Sequence, residues 1–117
     1  MKKLSNHKAA LFISAVSLIV FACGSTKNLI PTQADVPIAQ AHWAGTTMDE
    51  LTKGYNIYAE KCTECHGMKK PQNFTEDEWT INYMPSMGKK AKLQPDEYQL
   101  VLHYILTKRE EIRNIKK

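Results

Sequence analysis

Five consecutive residues, Cys62-Thr63-Glu64-Cys65-His66, bring two thiols and an imidazole together at a spacing that suits three chemistries. Two cysteines three apart with histidine directly after them form the signature of covalent c-type haem attachment. The thiols reach the two vinyl groups on adjacent edges of one porphyrin, and the thioethers fix that edge. His66 then sits under the ring to give its Nε2 to the iron, while its other nitrogen donates to a backbone carbonyl that sets the ring's orientation. A disulfide of the thioredoxin type is expected beside a βαβ pattern, which this chain lacks. A structural zinc site wants four ligands, usually as two pairs. Here Cys62, Cys65 and His66 lack a second pair, and His103 alone would have to complete the set. The expectation is one covalent haem c held by Cys62, Cys65 and His66, with zinc and disulfide as the alternatives.

Three helices are predicted to position these residues. The first opens at Thr47, with Glu50 three residues later in capping-box spacing. Leu51, Tyr55, Tyr58 and Cys62 then recur on one face. The second opens at Thr75 with Glu78 at the same offset, and Phe74 and Trp79 stand at hydrophobic-staple positions around that cap. A third opens near Pro95, a residue suited to a first helical position. Tyr98, Val101, Leu102, Ile105 and Ile112 form its apolar stripe, and Lys108, Arg109 and Arg113 complement its C-terminal dipole. No segment alternates as a strand, so the expected class is all-α. A folded part of about 70 residues with long loops buries little apolar surface by itself and usually needs a staple or a cofactor.

The remainder of the 117-residue chain is read as appendages. Sixteen Lys and Arg face twelve Asp and Glu, but Lys2, Lys3 and Lys8 lie in the first ten residues. Without them thirteen basic residues face twelve acidic ones, a balance that argues against a nucleic-acid binder. The apolar run Ala9 to Ala22 is too short to cross a bilayer comfortably, and a basic segment precedes it, as in an export signal. Val20-Phe21-Ala22-Cys23 resembles the lipobox of bacterial lipoproteins, in which the cysteine becomes the lipidated first residue of the mature protein. Residues 1–22 are therefore expected to be a signal peptide. Residues 23–46 would be the lipidated Cys23 and a flexible tether rich in Pro, Gly and small polar residues, and 47–117 the folded domain.

Residues 47–117 resemble the class I, single-haem c-type cytochromes. The likeness rests on Leu51-x-x-Gly54-x-x-x-Tyr58 before the haem motif, Gly67 after it, and a methionine ahead of a final helix containing His103-Tyr104-Ile105. It implies crossing first and last helices, with Gly54 meeting Tyr104. It implies a Met sixth ligand to iron, assigned by resemblance to Met87 with Met84 as the alternative, and an open sixth position or His103 as further possibilities. Soft sulfur favours Fe(II) and raises the potential, as electron transfer requires. Trp79 would either donate to a haem propionate or serve as a core aromatic. Lys69, Lys70, Lys89, Lys90 and Lys92 would border the haem edge and steer acidic redox partners. Since c-type haem is attached outside the bacterial cytoplasm, the implied protein is an exported, lipid-anchored electron carrier on the periplasmic side of a membrane, and not an enzyme. The alternatives are a five-coordinate haem enzyme or gas or peroxide sensor, and a haem subunit of a larger dehydrogenase or oxidase.

Overall fold

The computed structural model describes residues 27–64 and 66–117. The expected signal peptide over 1–22, Cys23 with the start of the tether, and Cys65 lie outside the described residues. Four α-helices organise the rest: α1 (Asp35–His42), α2 (Met48–Lys61), α3 (Met84–Lys90) and α4 (Pro95–Ile115). No strand occurs among the described residues, and the class is all-α with a cytochrome c-like fold.

Three helical starts follow from local hydrogen bonding. Ahead of α2, the Glu50 N–H donates to Thr47 Oγ1 at 3.2 Å, and the Thr47 N–H donates to the Glu50 carboxylate at 2.9 Å. The same reciprocal pair joins Thr75 and Glu78, at 3.1 and 2.7 Å. Phe74 and Trp79 meet edge-on across that cap, 5.5 Å between centroids, as the staple spacing predicts. Gln94 and Glu97 form the capping box of α4, with Pro95 in its first turn.

The helical run leading into α3 is locally widened. Glu78–Tyr83 form a π-helical segment, in which the Met84 N–H reaches back five residues to the Trp79 carbonyl. Pro85 explains the widening, because it has no N–H to donate and its ring would press on the carbonyl of Ile81, four residues earlier. The helix ends in paired closing bonds from Lys92 N–H to Lys89 O and from Leu93 N–H to Gly88 O. Lys92 takes the left-handed conformation that such an ending requires, with φ 54°.

The core lies between α2 and α4, which share the most extensive contact, and the α3 region covers it. Tyr58, Trp79, Met84, Val101, Tyr104 and Ile105 are its buried centre. The helices cross at Gly54, as the resemblance implies. A Cβ there would overlap the backbone carbonyl of Leu100 and come within 2.9 Å of Tyr104 Cβ.

Residues 27–46 depart from the expected flexible tether over their described length. They form a 3-10 turn at Lys27–Leu29 and then α1, and both lie against α4. Composition concealed this because the anchoring contacts are polar and long-range. The Lys108 ammonium, 2% exposed, pairs with the equally buried Asp35 carboxylate at 2.9 Å. Asp35 also accepts the Thr32 N–H at 2.6 Å. Tyr104 donates its hydroxyl to the Leu29 carbonyl at 2.7 Å, and Trp43 stacks on His103 at 3.9 Å. Lys108 is thus a buried ion-pair partner rather than an exposed cation complementing the helix dipole. Arg109 likewise turns inward, donating Nε–H to the Phe74 carbonyl at 2.8 Å.

Candidate functional site

The last turn of α2 delivers the first thiol. Cys62 continues the apolar face of Leu51 and Tyr58 and caps the helix, with its N–H bonded to the Tyr58 carbonyl at 3.2 Å. Its side chain is buried, and that burial pushes its thiol pKa upward while the nearby Lys61 charge partly offsets it. The chain then turns out of the helix, so His66 stands exposed four residues later. The His66 Nδ1 lies 2.7 Å from the Gly67 carbonyl, the contact expected of a ligand histidine that keeps Nε2 for a metal.

Across from the motif, α3 supplies Met87. Cys62, His66 and Met87 line one cleft of about 100 Å³, together with Lys61, Glu64 and Lys90. Met87 is 9% exposed and opens onto this cleft; Met84 is fully buried and does not line it. One turn of α3 separates the two methionines, so the widened turn before Met84 sets which of them faces the motif. Met68 packs against the core directly after the motif.

Two other expectations resolve differently. Trp79 is fully buried and donates its indole N–H to the Pro71 carbonyl at 2.9 Å. It is therefore a core aromatic with its one donor already engaged. His103 lines a separate cavity of about 490 Å³ with Trp43, Glu50 and Leu100. Burial against Trp43 lowers its pKa. That cavity is the larger of the two but contains neither Cys nor Met. His103 is accordingly placed neither to complete a zinc set with the motif nor to serve as a sixth ligand beside Met87. Among the described residues, no group of three or more His, Cys, Asp or Glu could hold a metal ion.

Lys61 forms a two-pronged bond to Glu97, 2.7 and 2.9 Å, which ties the haem-motif end of α2 to the first turn of α4. This bond, foremost, and the Gln94 N–H hold the Glu97 carboxyl below the ordinary carboxylate range. Lys69 is drawn partly away from the expected basic rim, because its ammonium lies over the rings of Tyr83 and Phe74 at 5.0 and 5.3 Å. Lys89, Lys90 and Lys92 remain exposed. Sequence reasoning missed Gly88, where a Cβ would strike the Tyr98 ring at 2.8 Å. Its position before the loop gave no cue that Tyr98 folds back over it.

The donor set suits a c-type haem: one thiol and one imidazole from the motif, and a thioether on the facing wall of the same cleft. The exposed Glu64, His66 and Lys90 leave the cleft open to solvent, so a flat ring is not confined to the enclosed space. The fold and a family match over residues 49–105 together support a class I c-type cytochrome domain. Residues 49–105 match the family model described as cytochrome C oxidase, cbb3-type, subunit III. No curated protein and no solved structure gives a significant match to the chain. Domains of this class bind haem, generally carry electrons, and are typically exported or periplasmic. None of the described helices is long and apolar enough to cross a membrane.

Proposed function

We propose that the chain is a single-haem electron carrier with His66 and Met87 as axial ligands and Cys62 and Cys65 as thioether attachments. It would be exported and held at a membrane by lipid on Cys23. The observation that carries this reading is the shared cleft of Cys62, His66 and Met87. Haem, when bound, would supply a one-electron couple. The chain's residues do the rest. Cys62 and Cys65 would hold the haem covalently, the Gly67 carbonyl orients His66, and Met87 would offer soft sulfur from the wall of the same cleft. Lys89, Lys90 and Lys92 would meet acidic redox partners, and a tether would raise effective concentration near partners at the membrane.

The test is a pair of variants. Met87→Ala is expected to abolish the far-red sulfur-to-iron band and open the iron to carbon monoxide, with Met84→Ala retaining both properties of the parent. The reverse pattern would move the ligand to Met84. A second reading, a haem subunit of a larger oxidase, is favoured by the description of the matching family. Co-purification of the full chain with a membrane oxidase would support it.

A further inference from the structure

At the end of α4 remote from the haem motif, Ile30 and Ile115 are 51% and 75% exposed and line one groove of about 270 Å³ with Ile112 and Lys116. Neither isoleucine is needed by the core, which lies further along α2 and α4. The charges around the groove are unevenly used. Glu110 is paired with His42 and Glu111 with Lys108. Arg113, Lys116 and Lys117 are exposed and have no ion-pair partner among the described residues. What faces outward is therefore an apolar groove with Lys116 in its lining and Arg113 and Lys117 next to it in the chain, a pattern that suits an anionic bilayer surface.

Two further observations set the direction of this face. Ile30 follows Cys23 by seven residues, so at no more than about 3.6 Å per residue the two are at most about 25 Å apart. The position of residue 30 is itself fixed, because the Leu29 carbonyl is held by Tyr104 and Asp35 by Lys108. At the other end of α4, Glu97 holds Lys61, which lines the haem-motif cleft. The helix runs about 30 Å between these ends at about 1.5 Å per residue.

We infer that the Ile30–Ile115 face, with Arg113, Lys116 and Lys117, docks onto an anionic phospholipid surface and stands the domain with its haem-motif cleft directed away from the bilayer. The inference rests on the tethered reading for its biological setting, but it concerns a separate surface. The test uses the full-length, haem-loaded, processed protein with vesicles of phosphatidylcholine alone or with phosphatidylglycerol. Flotation and the mass of the mature N-terminus report the anchor, and backbone hydrogen exchange reports the face. Exchange over residues 28–31 and 112–117 is expected to slow on phosphatidylglycerol-containing vesicles. That slowing is expected to vanish in Ile30→Ser/Ile115→Ser/Lys116→Glu/Lys117→Glu, whose haem spectrum and melting temperature match the parent. Flotation with the same exchange on both vesicle types overturns the docking face and leaves the tether standing. A mature N-terminus without lipid overturns the tether. The face is then judged on the same vesicles in excess, where slowed exchange upholds it and unchanged exchange overturns it.

Discussion

Met84 and Met87 differ by one helical turn, and both belong to the buried cluster of Tyr58, Trp79 and Ile105. Met84 has no solvent contact, whereas Met87 also borders the cleft. Met84→Ala should cost about 2–5 kcal/mol of stability, the usual range for emptying a buried site, while leaving ligation spectra intact. Chemical denaturation of the haem-loaded protein, read alongside its visible spectrum, separates the two effects. At Lys92 the left-handed backbone carries a side chain where glycine is favoured. Lys92→Gly should therefore stabilise the protein by up to about 1 kcal/mol, which the denaturation midpoint would register. The capping residues were legible because their spacing alone carries the information, and spacing is also what the haem expectation at Cys62, Cys65 and His66 rests on. The choice of Met87 rested on resemblance, since spacing cannot say which way a thioether points after a π-helical turn. Trp79 was half legible: its staple position was, its hydrogen bond to Pro71 was not.

Among the elements, α2 and α4 were readable from caps and periodicity, and their crossing from Gly54 and Tyr104. The unread element was α1. Its apolar content is low, and its attachment depends on a pairing of Asp35 with Lys108 across 73 residues, which no local pattern reveals. Lys108→Ala should leave the Asp35 charge buried and alone, at a cost of about 3–5 kcal/mol. Replacing both with apolar residues of similar size should recover much of that loss in urea unfolding. The helix caps and the α1–α4 packing also set a pH dependence. Glu78 is held below 4.5 by the Thr75 N–H and hydroxyl, and Glu97 mainly by Lys61. Both stabilise the fold above 4.5, and that contribution is lost as pH falls through their depressed values. His103 has a folded pKa below 6.5 and favours the fold when neutral, so its contribution declines below pH 6.5 as protons bind. Stability should thus begin to fall below pH 6.5 and fall further below 4.5. His103→Phe should remove the upper step alone.

For the whole molecule, the near balance of charge outside the first ten residues leaves local clusters to decide what the protein meets. Lys89, Lys90 and Lys92 beside the cleft should make electron exchange with an acidic partner slow as ionic strength rises. Charge reversal at Lys89 and Lys90 should flatten that dependence in stopped-flow rates, and rates indifferent to salt would remove the steering role. The strap of residues 27–46 is held along α4 by Tyr104 and Lys108, away from the Lys61–Glu97 end that borders the cleft, so the two ends of the molecule can serve different neighbours. Electron transfer by this domain depends on the haem. The most direct measurement is the oxidised and reduced absorption spectrum of the full chain produced with c-type maturation machinery, taken before and after denaturing extraction. One haem that resists extraction, with low-spin bands and the weak far-red sulfur-to-iron band, is the predicted result. A chain that retains no haem, or a high-spin haem that shifts with carbon monoxide, would contradict a His66/Met87 electron carrier.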